Sequence, residues 1–312
     1  MATSGTGSGV RLVEVSEDRD GQRLDNFLSA QLKGLPKSAI YRMIRTGQVR
    51  INGKRCKPAS RVADGDTVRI PPARTREDGQ PIIAPQVLHQ IDGSVLFEDS
   101  DLMVINKPSG MAVHSGSGLS WGLIDVVRQL RPGTYLELVH RLDRQTSGCL
   151  LLAKNGKSLA HLSQLFRENG IRKRYLCLLD GHMKQAVTEV DAALKKVQGD
   201  SERRVIASAD GKSAMTRFRE LQGYRDCTFA EAELTTGRTH QIRVHAQTMG
   251  MPVAGDSKYA SPESLKKWKL RGLQRLFLHA HYLSFELSSG QEMKFSATLP
   301  EPLKSVLDGL EA

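Results

Sequence analysis

From about residue 71 to residue 93 the chain carries Pro71, Pro72, Pro81 and Pro85 among polar and charged residues, and neither a helical nor a strand periodicity runs through the stretch. Such a segment predicts a linker, so the 312 residues divide into a short unit and a long one. The division read here is a tail over 1–20, a small unit over 21–76, a linker over 77–93 and a large domain over 94–312. The opening MATSGTGSGV has neither a basic start leading into an apolar stretch nor an Arg-rich amphipathic pattern, and is read as a flexible tail of a cytoplasmic protein. With 39% hydrophobic and 25% charged residues the composition is that of a folded protein, and no apolar run is long enough to span a bilayer.

Charge is distributed unevenly across that division. Residues 21–76 hold nine Arg and four Lys against Asp25, Asp64 and Asp66, a formal +10 of the chain's +11. A cluster of this density exceeds what solubility needs and points to a polyanion, and phosphates are the natural partner of clustered Lys and Arg. The same residues have a clear local pattern. Leu24, Phe27, Leu28 and Leu32 give a helix one apolar stripe. Pro36 suits the first turn of a second helix and Gly47 its left-handed stop, with Ile40 and Ile44 on one face and Arg42 and Arg45 on another. Val49 to Ile51, the turn pair Asn52-Gly53 and the basic run Lys54, Arg55, Lys57 read as a hairpin, and a strand over Thr67 to Ile70 closes the unit.

The second domain reads as β-rich. Val95 to Glu98, Leu102 to Asn106, Leu136 to Val139, Leu150 to Ala153, Tyr175 to Leu179 and Thr228 to Leu234 are short strand-like runs separated by turns. Helices are expected chiefly over Ser158 to Phe166 and over His240 to Met249, the latter with Thr239 as N-cap and Gly250 as stop. This is an α+β pattern without regular βαβ alternation and without a repeat.

Three segments of that domain carry chemistry-bearing residues. LVHRLDRQTSGCLLLAK places Asp143 in a turn between two strands, a position where scaffolds hold reactive groups, although an Asp followed by Thr and Ser is by itself more often turn chemistry. Lys173-Arg174-Tyr175 opens a strand, and LTTGRTHQIRVH places Arg243 on a helix. Together with INKPSGMAVH and RLFLHA these segments resemble, in order and over nearly the whole chain, the RluA-type pseudouridine synthases. GQRLDNFLSAQLKGLPKSAIYRMIRTGQVRINGKR, continuing to ADGDTVRIP, resembles the S4 RNA-binding module.

The resemblance implies a mixed, mainly antiparallel sheet with flanking helices behind a small α/β N-terminal domain. It implies Asp143 as the catalytic aspartate, Arg243 as its partner, Tyr175 packed on the target base, and Arg141 filling the gap that a flipped base leaves in the RNA. His140, beside Arg141, is expected at the RNA, as are Arg42, Arg45, Arg50, Lys54, Arg55 and Lys57. The implied substrate is RNA, 23S ribosomal RNA or a large-subunit assembly intermediate, handled by a monomer that uses no cofactor. Pseudouridine formation breaks the C1′–N1 bond, rotates the uracil and rejoins it through C5, so one carboxylate suffices. Two roles are open to it, covalent attack at C1′ or abstraction of the C2′ proton, of which the resemblance favours the second.

Two readings compete with this one. A non-catalytic S4 protein would need no ordered Asp143, Tyr175, Arg243 set, and an RNA N-glycosylase would use a similar carboxylate but release the base. A metal reading of the nine His fails on spacing, since His240 and His245 stand at i and i+5 on different helix faces. Cys56, Cys149, Cys177 and Cys227 form no CxxC pair and are read as reduced thiols, mostly buried. Lys266, Lys267, Lys269 and Arg271 around Trp268 are a second candidate RNA contact, or else an exposed amphipathic segment.

Overall fold

The computed structural model describes residues 9–32, 35, 37–73, 82–115, 119–198 and 203–311; Lys33, Pro36, Arg74, Arg76 and Pro81 lie outside them. The N-terminal unit runs β1 (Arg11–Glu14), α1 (Leu24–Gln31), α2 (Lys37–Arg45), β2 (Arg50–Ile51), β3 (Lys54–Arg55) and β4 (Thr67–Ile70), with strand order β1-β4-β2-β3. The apolar stripe does what its spacing dictates: Leu24, Phe27, Leu28 and Leu32 pack with Ile40, Ile44, Val49, Val68 and Ile70 into one buried cluster. Asn52 and Gly53 both adopt positive φ, 48° and 74°, the backbone that a two-residue hairpin demands.

Two expectations fail at the edges of this unit. Residues 11–14 were expected in a flexible tail, but β1 pairs antiparallel with β4, Arg11 opposite Ile70 and Glu14 opposite Thr67. It satisfies backbone groups that would otherwise line an open sheet edge. Within the expected linker, Pro85–Asp92 form helix α3. Pro85 occupies the first helical turn, where its missing N–H costs nothing, so here proline starts an element instead of interrupting one. Ile83 and Ile91 are buried in the core of the large domain.

That domain continues through β5 (Val95–Glu98), β6 (Leu102–Lys107), α4 (Leu123–Leu130), β7 (Glu137–Leu138), β8 (Ser147–Ala153), α5 (Gly156–Arg167) and β9 (Arg172–Leu179). Then come β10 (Val187–Asp191), β11 (Leu194–Gln198), β12 (Arg203–Ala207), β13 (Met215–Tyr224), β14 (Cys227–Leu234), α6 (Gln241–Thr248), α7 (Pro262–Leu270), β15 (Leu278–Glu286), β16 (Glu292–Ser296) and α8 (Glu301–Asp308). One large sheet has the order β10-β13-β14-β9-β15-β8-β6-β5, with β16 on β15 and β7 on β8; β11 and β12 form a separate hairpin. All pairings are antiparallel except β15 with β8.

Both faces of the sheet are covered, and the period of two sorts the strands between them. In β8, Leu150 and Leu152 join one core with α3, α4 and α6, whereas Cys149, Leu151 and Ala153 join another with α5 and β16. This explains why all seven residues of β8 are buried and why its sequence reads as a continuous apolar run. The strand leaves its turn through Gly148 at φ 111°, where any side chain would collide with the backbone of Ala280 on β15. Only glycine lets β15 lie this close behind the Asp143 turn.

Candidate active site

Asp143 sits in the turn between β7 and β8, closed by the Thr146 amide donating to the Asp143 carbonyl at 3.1 Å. Buried Leu142 anchors the turn from below, leaving the Asp143 side chain 20% exposed. A second turn, 108–111, is fastened to it. The Gly110 amide donates to the Arg144 carbonyl and Arg144 Nε donates to the Gly110 carbonyl, both at 2.8 Å. Ser109 Oγ donates to the Gln145 carbonyl at 2.7 Å. Beneath them lies Lys107, fully buried, whose ammonium reaches the carbonyls of Pro108 (2.8 Å), Met111 (2.8 Å) and Arg144 (3.2 Å). Burial and the nearby Arg275 lower its pKa to about 7, while Asp143 pulls it back up. Lys107 was not expected at the site. Its signal is its place in INKPSGMAVH, where it closes the apolar run of β6 immediately before Pro108.

Arg243, on α6, is buried and meets two carboxylates. Its Nε and Nη2 donate to the two oxygens of Asp256, both at 2.7 Å, and Nη1 stands 3.5 Å from Asp143 Oδ2. Burial acts against the guanidinium's charge, but Asp256 and Asp143 more than offset it and raise the pKa above its ordinary value. The bidentate partner is therefore Asp256, a residue that no sequence pattern singles out, and Asp143 takes the remaining nitrogen. Tyr259 lies under the guanidinium, 5.0 Å from ring centroid to Cζ.

His240 is the other unexpected neighbour. Thr239 was expected as N-cap of α6, but that position falls to His240, in the left-handed region at φ 56° and with no side-chain cap. The loop before the helix is held instead by Gln241, whose Oε1 accepts from the Arg238 amide (3.0 Å) and from Thr236 Oγ1 (2.8 Å). The strained backbone brings His240 Nε2 to 3.6 Å from Asp143 Oδ2, while Nδ1 faces the Tyr259 hydroxyl at 2.8 Å. The Val205 amide donates to that hydroxyl at 3.2 Å, so its proton is free to bond Nδ1 and to leave the ring's own N–H on Nε2.

Tyr175 projects from β9 into the same pocket, which Arg141, Leu142, Asp143, Arg243, Ile242 and Leu278 also line. Its phenol is nearly buried, and burial, with Asp143 nearby, pushes its pKa up. The pocket holds only about 60 Å³, room for a few water molecules. Arg141 is exposed at its rim. His140, expected at the RNA, makes its contacts within the protein. Its Nε2 accepts from the Leu151 amide at 3.0 Å, its ring stacks on Phe166, and burial lowers its pKa to about 3, so the neutral ring ties the turn to the sheet.

The remaining candidates separate in the same way. Arg42, Arg45, Arg50, Lys54, Arg55 and Lys57 are all exposed on α2 and the β2–β3 hairpin. Around buried Trp268, Lys267 is bound to Asp180 and Asp226, and Arg271 to Asp226, so half of that cluster is already neutralised. His245 donates to the Ala192 carbonyl and accepts from Thr216. Among the described residues no group of three or more His, Cys, Asp and Glu is placed to hold a metal ion. The cysteines are free; burial pushes Cys149 and Cys177 up to about 12.

This geometry agrees with what the chain is similar to. Residues 101–248 match the model of the RNA pseudouridylate synthase family, and residues 22–68 match that of the S4 domain. The chain is 44% identical over 308 residues to the ribosomal large subunit pseudouridine synthase C of Haemophilus influenzae, covering 97% of this chain and 96% of that one. It is 46% identical to the Escherichia coli protein of the same name, covering 96% and 97%. Among solved structures, human RNA pseudouridylate synthase domain containing 4 superposes with a TM-score of 0.60 at 25% identity, covering 73% of this chain and 97% of that one. From matched motifs to matched fold, the chain belongs to the RNA pseudouridylate synthase family, as an RluA-type member with an N-terminal S4 domain.

Proposed function

We propose that this protein isomerises uridines of 23S ribosomal RNA to pseudouridine, with Asp143 as the catalytic carboxylate. One observation carries the assignment of roles. Asp143, Tyr175 and Arg243, far apart in sequence, line a single pocket. Relatives of nearly full length are named ribosomal large subunit pseudouridine synthases, which supports the substrate class. In this reading the S4 face of α2 and the β2–β3 hairpin holds phosphates, which positions the RNA without reading its sequence. The target uracil leaves its stack and enters beside Tyr175, and Arg141 at the rim takes the space it vacates.

The chemistry balances within the nucleoside. The C1′–N1 bond breaks, the uracil turns, C5 bonds to C1′, and the C5 proton is lost as N1 gains one. No oxidant, reductant or group donor enters that balance, so the protein is read as working without a cofactor. Asp143 acts at the sugar by either attack at C1′ or removal of the C2′ proton, and Arg243 keeps a positive charge beside it in a site that limits water.

The test is Asp143→Asn, which keeps size and removes both nucleophile and base. Pseudouridine formation should vanish while RNA affinity persists; turnover above a few per cent of wild type would remove Asp143 from its role. Product analysis separates the competing readings, because an N-glycosylase releases free uracil and a binding protein leaves the RNA unchanged.

A further inference from the structure

A cavity larger than the Asp143 pocket lies beside it among the described residues. It measures about 390 Å³ and adjoins the catalytic turn through Arg144, the next residue. Its walls are the 108–112 turn, Gln90 of α3, and Leu119 to Trp121. Trp121 and Met111 are half-buried against the core with part of their apolar surface left to the cavity, and Leu119 is exposed. Polar groups stand among them: the Gln90 amide, the Ser109 hydroxyl and the exposed Arg144 guanidinium, whose Nε is bonded to Gly110.

We infer that this cavity seats an unstacked nucleotide flanking the target uridine, which rests on the reading above that the Asp143 pocket takes the uridine. Size, chemistry and continuity converge on that occupant. A base removed from a strand leaves its neighbour without a stacking partner, and an indole with a thioether beside it offers a new face. The guanidinium's terminal nitrogens suit a phosphate, and an amide that both donates and accepts suits a base edge. Arg144, which lines the cavity, directly follows Asp143, so the cavity borders the turn that carries the carboxylate.

The cavity is also fastened to the chemistry. Its 108–111 wall is bonded to the Asp143 turn through Gly110, Ser109 and Lys107, so an occupant that presses on the wall restrains the peptide carrying the carboxylate. A nucleotide seated there contributes to the rate of the bound complex as well as to affinity.

The experiment crosses changes in the RNA with changes in the protein. The substrate is an RNA fragment around a uridine that wild-type protein converts, carrying an abasic residue at each flanking position in turn, and the proteins are full-length wild type, Trp121→Phe, Trp121→Ala and Gln90→Ala. If wild type forms no pseudouridine in any ribosomal RNA, the underlying reading fails and this inference falls with it. If wild type is active, one abasic position should lower its single-turnover rate or affinity by about 5-fold to 100-fold, the range of a single base stack. That penalty should disappear in Trp121→Ala and persist in Trp121→Phe. Because the abasic series is first read with unaltered protein, a poorly folded Trp121→Ala does not decide the outcome; Gln90, exposed on α3, serves as the second variant and should change which base is preferred at that position. Penalties that add independently to Trp121→Ala at every position, or no penalty in wild type, overturn the inference while leaving uridine isomerisation in place.

Discussion

Arg243 divides unevenly between its two carboxylates, and the division sets what each substitution does. Asp256 has no exposure and holds the guanidinium in a fork, whereas Asp143 receives one longer contact. Arg243→Ala would therefore strand a buried carboxylate, a change that costs about 3–5 kcal/mol, and should lower unfolding free energy in urea by that amount in addition to abolishing turnover. Asp143→Asn should leave stability within ~1 kcal/mol of wild type. A loss under ~1 kcal/mol for Arg243→Ala would contradict the Asp256 pairing. Tyr259→Phe removes the hydroxyl between Val205 and His240; the single-turnover rate should fall by up to about 10-fold, with RNA affinity unchanged. An unchanged rate would show that the His240 tautomer has no part in the reaction. That Asp143, Tyr175 and Arg243 belong to one pocket was legible because each lies in a contiguous pattern. Asp256 and Tyr259 were not legible, because their importance comes from partners that only the folded chain brings near, and Lys107, though inside INKPSGMAVH, showed nothing of its burial under the Asp143 turn.

Elements were legible where an apolar stripe or a turn pair was long enough to be unambiguous, as in α1 and the Asn52-Gly53 hairpin. They were not where the run was short or the cue had two meanings. Pro85 marks both linkers and helix starts, and the Leu123–Leu130 run of α4 is too brief for its period to show. At this scale the buried histidines of β15 and of the Asp143 turn matter to pH. His279 donates from Nε2 to the Ala297 carbonyl (3.1 Å) and accepts at Nδ1 from Ser147 (2.8 Å), so the neutral ring is satisfied at both nitrogens. Burial lowers His279 to about 4 and His140 to about 3. The unfolded chain, with His near ~6.5, binds more protons through this window, so stability present above ~6.5 is lost as pH falls toward 4. Melting temperature should drop across that interval, and His279→Asn should flatten the slope. A melting curve level from pH 7 to 4 would refute it.

Across the whole molecule the charge map and the core disagree about where to cut. Residues 21–76 hold a formal +10 of the chain's +11, yet Ile83 and α3 belong to the core of the large domain. Residues 17–20 also touch that domain, with Arg19 stacked 4.8 Å from the Tyr135 ring centroid and the Asp20 carbonyl so close to Gly156 that no side chain fits there. A fragment over 82–312 should keep its fold and its catalytic residues but bind RNA weakly. The slope of log K against log salt should shallow by ~0.7 to 0.9 for each phosphate that the fragment no longer neutralises, and saturating RNA should restore most of the single-turnover rate. Unchanged affinity and slope would make the basic face a solvated surface.

The position of β15 between β9 and β8 has a consequence for synthesis. The N-terminal sheet is complete once residue 70 has emerged, whereas the large sheet stays open in its middle until residues 278–286 arrive. At ribosomal rates of ~5 to 20 residues per second the interval is roughly 10 to 40 s. Throughout it the nascent chain carries a finished S4 domain and an unfinished large sheet. A product truncated before β15 is therefore expected to compete with the complete enzyme for RNA without converting it, which adding the 1–277 fragment to a turnover assay checks.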